Sequence, residues 1–249
     1  MSRTVPGWGW GLLGLAVFVA LAAQAPLLLR RIDSFRVERV EVLGTRYLAP
    51  HEALAASGIA DTSSVFDDPT PWREALLRHP LVADATIARK LPRTLIVTIV
   101  EVEPVALVRT PELRAVDAAG RVLPIDPAGA VLDVPIVGGV VSVGEDGVVE
   151  GETTAALIEA AARIARIAPG FAERVSEVVP AEGEAVRILL REPPSAEVLL
   201  PMAFDAVRLE QLRLTIQDLE RRREMPVVRR IDVRFRDQVV VSLNPSANG

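Results

Sequence analysis

The sequence predicts an α+β protein carried on a single N-terminal membrane anchor, and three observations support that. An uncharged apolar stretch fills residues 8–29. The segment from Leu77 to Pro104, LRHPLVADATIARKLPRTLIVTIVEVEP, packs a helix end, a hairpin and a strand exit into one unit. Beyond Pro104, short β-type runs separated by turn signals are interrupted by two amphipathic helical patterns.

The N-terminal element comes first. No charged residue occurs from Thr4 to Leu29, and Trp8 to Leu29 at about 1.5 Å per residue reaches the roughly 30 Å of a hydrocarbon core. One transmembrane helix over residues 8–29 is expected, after a short cytoplasmic N-terminus at 1–7 and before a juxtamembrane linker at 30–34. Trp8 and Trp10 suit one interfacial belt, and Arg30 and Arg31 the opposite boundary. The rival reading is a cleaved signal peptide, because Ala23-Gln24-Ala25 has the small-x-small form of a cleavage site. Pro26 would then be the first mature residue, which disfavours cleavage, and the apolar run continues past the site through Leu29. Counting cations alone would leave the large domain in the cytoplasm, but long domains translocate largely regardless of local charge.

In the second element Pro80 ends a helix that cannot continue through it. Leu81 to Ala88 then sets Val82, Ala85 and Ile87 among polar neighbours in strand-like fashion. Lys90-Leu91-Pro92-Arg93 is the turn. Leu95, Val97 and Ile99 fall on one face of the returning strand, which stops before Pro104 because proline cannot donate to a ladder.

This spacing resembles the end of a POTRA domain, a βααββ module, and is closest to the FtsQ/DivIB family of bacterial cell-division proteins. An opening strand and glycine turn are met by Phe35 to Gly44, a short helix by Pro50 to Ser57, and a second helix by Pro71 to His79, followed by Pro80-Leu81-Val82. Arg89, Pro92, Thr94 and Leu95 match the arginine, proline and threonine-leucine positions, and Glu101 and Pro104 match the closing Glu-x-x-Pro. The resemblance implies a POTRA-like domain over residues 35–103, a β domain over 104–243 and a C-terminal tail at 244–249. The implied fold class is α+β, with a single transmembrane helix, a βααββ POTRA-like domain, and a C-terminal mixed β-sheet domain with two main helices.

In the β domain, strands are expected at Ala106 to Val108, Leu113 to Val116, Arg121 to Leu123 and Pro135 to Val137, with Asp117 to Gly120 and Asp126 to Gly129 as turns. A helix follows, capped by Thr153 or Thr154, with Leu157, Ala161, Ile164 and Ala168 on one face and Pro169-Gly170 as its stop. Strands at Arg174 to Val179 and Ala185 to Leu190 precede a second helix from about Asp205 to Arg223, whose apolar side carries Leu209, Leu212, Ile216 and Leu219. The last pair of strands spans Val227 to Phe235 and Gln238 to Leu243, joined near Arg236-Asp237. Residues 138–152 and 191–204 match the family poorly.

Composition narrows the function. The chain contains no cysteine, which excludes thiol nucleophiles and disulfides, and only two histidines. His51 and His79 stand in no catalytic or metal-ligand spacing, and Asp67-Asp68 suits a helix start. No cofactor and no catalysis are expected. Net charge is −5 overall, and residues 32–249 carry 25 bases against 33 acids. The only dense basic clusters, Arg221-Arg222-Arg223 and Arg229-Arg230, read as a solvated helix end rather than a nucleic-acid surface.

The resemblance implies a non-catalytic divisome scaffold in the cell inner membrane at the division septum, with its C-terminal domains periplasmic. FtsB/DivIC-like and FtsL-like partners would dock on the β domain, and other division proteins on the POTRA-like domain. A terminal strand offers unpaired N–H and C=O groups to which a partner segment can add. Arg234 and Phe235 fall on the family's arginine and aromatic interface positions, beside an edge at Gln238, Val239, Val240 and Val241. The alternative for Phe235 is plain core. The rival functions are a POTRA-containing envelope transport or outer-membrane assembly factor, and an anchored envelope hydrolase.

Overall fold

A computed structural model describes residues 33–194 and 196–244. The segments expected at 1–7 and 8–29, and all of the tail beyond Asn244, lie outside the described residues. Among those residues no helix is long and apolar enough to cross a membrane. The chain forms two compact units that part between Val102 and Glu103.

The first unit has the order βααββ: β1 (Arg39–Leu43), α1 (Pro50–Ser57), α2 (Thr70–Leu77), β2 (Val82–Lys90) and β3 (Thr94–Glu101). β3 is central, parallel to β1 and antiparallel to β2. The chain before β1 is not the strand expected from Phe35, because residues 33–35 wind into a 3-10 turn and lead Phe35 onto Phe66 edge-to-face at 5.0 Å. Pro50 opens α1 and the left-handed Gly58 closes it. Asp68 accepts the Thr70 N–H at 3.0 Å at the start of α2. That helix ends at Leu77, two residues short of the expected His79, and the His79 Nδ1 accepts the Leu81 N–H at 3.3 Å in the following turn.

The inward positions Val82, Ala85 and Ile87 break strict alternation, and a register shift between Val82 and Asp84 makes this possible: the bulge lets Val82 and Ala85 both reach the core. Leu95, Val97 and Ile99 of β3 are buried beneath the helices. At the exit of β3 the Glu101 carboxylate takes the N–H of Tyr47 at 2.9 Å and of Leu48 at 2.8 Å, which ties the β1–α1 connection to the end of the central strand.

The second unit is an eight-stranded sheet in the order β11-β10-β9-β8-β7-β6-β4-β5. Its strands are β4 (Ala106–Arg109), β5 (Leu113–Val116), β6 (Ile136–Val140), β7 (Val175–Ala181), β8 (Ala185–Leu190), β9 (Glu197–Pro201), β10 (Val228–Asp232) and β11 (Val240–Leu243). Three helices interrupt them: α3 (Glu152–Ile167), the single turn α4 (Pro169–Ala172) and α5 (Ala206–Arg221). Leu157, Ala161 and Ile164 of α3 and Leu209, Leu212, Ile216 and Leu219 of α5 join Val137, Val178, Ile188, Val198 and Ile231 in one buried cluster.

Several local expectations are corrected. Arg121 to Leu123 makes only isolated bridges, Val116 with Val122 and Arg121 with Val148, because the Asp117 carboxylate draws the Arg121 N–H (2.8 Å) into a turn. Neither Thr153 nor Thr154 caps α3, which begins at Glu152 after Gly151. α3 also stops one residue before Ala168. Asp205 caps α5, accepting the Arg208 N–H at 3.0 Å. The strand β9, in the stretch 191–204 for which no strand was expected, sits between β8 and β10.

Candidate functional site: the terminal sheet edge

β11 pairs with β10 on one side and ends the sheet. The hydrogen-bonding direction of each residue follows from one contact. The Val233 N–H donates to the Leu199 C=O at 2.9 Å, so Ile231 and Val233 turn their backbone groups toward β9. Arg230 and Asp232 therefore turn theirs toward β11, where they face Ser242 and Val240. Val241, opposite Ile231, is left with its N–H and C=O pointing away from the sheet, and Leu243 follows two residues on. At the other end of the sheet, by contrast, the Leu123 N–H reaches over β5 to the Ala115 C=O at 2.8 Å.

The side chains of β11 divide between two faces. Val241, with Val239 just before the strand, packs against the buried cluster, whereas Val240 lies on the face away from the helices and is 40% exposed. Gln238 is exposed in the approach to the strand. On the same open face the Glu197 carboxylate bridges Arg230 and Arg187, the latter at 3.3 Å.

The connection from β10 to β11 is held rather than free. β10 ends at Asp232, three residues before the expected Phe235, because the Asp232 carboxylate takes the backbone N–H of Arg234 at 3.1 Å and its guanidinium Nη2 at 2.6 Å. This turns the chain out of the ladder. The Arg234 hydrogen bond holds the Asp232 carboxyl below the usual carboxylate range against the opposing effect of burial, and Asp232 in turn raises the Arg234 guanidinium. One turn into α5, the Arg208 guanidinium donates to the carbonyls of Phe235 and of Arg236, the latter at 3.2 Å. The Phe235 ring is 45% exposed, with its backbone fixed from two sides.

The predicted site residues thus gather at one end of the second unit: Arg234 and Phe235 in the pinned loop, Gln238 and Val239 on the approach, Val240 and Val241 in the edge strand. Sequence reasoning missed Arg208 and Asp232. Asp232 carried a signal, standing two residues before an arginine at the end of an apolar alternation. Arg208 carried none, since its partners are main-chain carbonyls 27 and 28 residues away.

Elsewhere, His51 lies exposed on α1 and His79 serves the turn after α2. Among the described residues no group of histidines and acids could hold a metal ion. A groove of about 500 Å³ between the α3–α4 junction and α5 is lined by Ile167, Phe171 and Ile216, with ion pairs Arg174–Glu220 and Glu210–Arg213 at 2.7 Å.

The fold and this edge define a class: an α+β protein in which a POTRA-type βααββ module precedes a larger sheet domain whose terminal strand has one open edge. Comparison with known proteins makes it specific. Residues 35–101 match the family model for the POTRA domain of FtsQ type. A stretch of 124 residues, 48% of this chain, is 32% identical to the cell division protein FtsQ of Syntrophotalea carbinolica. The match spans 44% of that relative's length. The chain is thus similar to FtsQ-type division proteins through its POTRA domain and over about half of its length.

Proposed function

We propose that this chain is a non-catalytic scaffold of the bacterial division machinery, held in the inner membrane by residues 8–29 and presenting residues 35–243 outside the cytoplasm. Its β domain takes an extended segment of an FtsB/DivIC-like partner, bound together with an FtsL-like protein, as a further strand beside β11. The POTRA domain, residues 35–103, docks other division proteins. The observation that carries this reading is the outward N–H and C=O of Val241 and Leu243, together with a half-exposed Phe235 whose backbone carbonyl is held by Arg208. Backbone pairing supplies the attachment and Phe235 a side-chain anchor, in the manner of strand addition. Arg234 acts as a positioning group, its guanidinium engaged by Asp232.

The test uses the full chain co-purified with FtsB- and FtsL-like proteins. Val241→Pro removes an N–H that faces away from β10, a change an edge strand tolerates, and Phe235→Ala removes the ring. Both variants are expected to remain folded and to lose the partners. Unchanged recovery of the partners with both variants overturns the proposed edge, and a labelled copy that fails to concentrate at midcell overturns the assignment to division.

A further inference from the structure

The first unit has a strand edge of its own, and it is differently built. β2 spans nine residues at the margin of its sheet, a longer open template than β11. Which of its groups face outward can be fixed. A Cβ added to Gly44 would lie 2.2 Å from the Ile99 carbonyl oxygen, so Ile99 turns its backbone groups toward the β1 side of β3. Ala85 is the residue opposite Ile99. The two therefore form a non-hydrogen-bonded pair, and the N–H and C=O of Ala85 point away from the sheet, followed by those of Ile87 and Arg89.

The outward groups of Ala85 are nevertheless both occupied. Its N–H donates to Asp84 Oδ1 at 2.8 Å, and its C=O accepts from Arg73 Nε of α2 at 2.8 Å. The same Asp84 oxygen accepts from Arg73 Nη2 at 2.7 Å, which closes the ring. A carboxylate oxygen stands where a neighbouring strand would place a carbonyl, and a guanidinium N–H stands where it would place an amide. The Arg73 hydrogen bond also holds the Asp84 carboxyl below its usual range, so the pair stays charged at neutral pH.

We infer that the Arg73–Asp84 pair is an edge plug: it satisfies the outward backbone groups of Ala85 and keeps β2 from pairing with the same strand of a second copy of this chain. The homotypic antiparallel ladder that uses most of β2 is centred on Ile87 and sets Ala85 of one copy opposite Arg89 of the other. The plug removes both ends of that ladder at once. It leaves Ile87 alone at the centre, too little to hold two chains.

The absence of cysteine makes the test direct. Full-length chains carrying Thr86→Cys and Ala88→Cys are mixed and oxidised, because these exposed side chains would face each other across the homotypic ladder. With the plug intact the mixed disulfide should be scarce. In an Asp84→Ala background, and separately in Arg73→Met, its yield should rise roughly tenfold or more. Both positions are about half exposed, at 52% and 48%, so folding should survive, and unchanged Trp72 fluorescence, read in chains with Trp8 and Trp10 replaced by phenylalanine, verifies it. An equally high yield with the plug intact overturns the inference, as does no rise in either background while Trp72 reports a folded unit.

Discussion

Removing the Glu101 carboxylate is the sharpest test of how the first unit is held together. Its oxygens receive the N–H groups of Tyr47 and Leu48 at 2.8 to 3.1 Å, and Leu48 is 2% exposed, so water replaces the lost partner poorly there. Hydrogen bonds to a charged acceptor contribute about 1.5–3 kcal/mol each, and orphaned buried donors cost about 1–3 kcal/mol. Glu101→Ala should therefore destabilise the unit by roughly 2–4 kcal/mol, allowing for the partial exposure of Tyr47. Glu101→Gln keeps one acceptor oxygen but turns an amide N–H₂ toward a donor, and should cost roughly half as much. Trp72 on α2 reports this unit in urea unfolding once Trp8 and Trp10 are replaced by phenylalanine, since the chain has three tryptophans. With a urea slope of about 1 kcal/mol/M for a domain of this size, the alanine variant should shift the midpoint downward by about 2 M or more. A shift below about 0.5 M in Glu101→Ala would refute the idea that this carboxylate anchors the β1–α1 connection.

Two further outcomes follow from the geometry. Gly44 sits at φ +84°, where a Cβ would meet the Ile99 carbonyl at 2.2 Å, so Gly44→Ala should lower the same Trp72-monitored midpoint by at least as much as Glu101→Ala. The Asp232 carboxyl is held below its unfolded value by Arg234, so its contribution to stability is full above about pH 4 and is lost as pH falls through the folded value; urea unfolding of the second unit between pH 7 and pH 3, followed by circular dichroism, should show a shallower acid loss in Asp232→Asn than in the unaltered chain.

What could be read from the chain and what could not divides along the range of the interaction. The hairpin of the first unit was legible because each of its signals is local: Pro80 beyond a helix, the turn at Leu91 to Arg93, and alternate Leu95, Val97 and Ile99. The α5 face was legible for the same reason, with Leu209, Leu212, Ile216 and Leu219 at helical spacing. β9 was not, because Leu199 and Leu200 next to prolines carry no alternation. The strand lies between two others and is buried at Val198, Leu199 and Leu200, so it needs none. The early end of β10 was missed because an alternating pattern continues through Val233 and Phe235 while the side chain of Asp232 redirects the backbone.

The two edges differ in a way that bears on how a partner could be held. β11 offers Val241 and Leu243, and two such residues supply a handful of backbone bonds at a net of about 0.5–1.5 kcal/mol each. Association costs at least about 4 kcal/mol in lost freedom, so pairing alone gives weak attachment. A partner strand added there would need an anchor outside the ladder, which is the role proposed for Phe235. Phe235 is 45% exposed on a loop whose two carbonyls occupy Arg208 and whose next-door arginine occupies Asp232. Hydrogen bonds at the Arg234 N–H and the Phe235 C=O fix the backbone that carries the ring, so less backbone entropy would be lost on docking. The same reasoning explains why β2 calls for a plug and β11 does not: a nine-residue edge could recruit a strand on backbone bonds alone, whereas a four-residue edge would hold a segment only with the proposed anchor beside it.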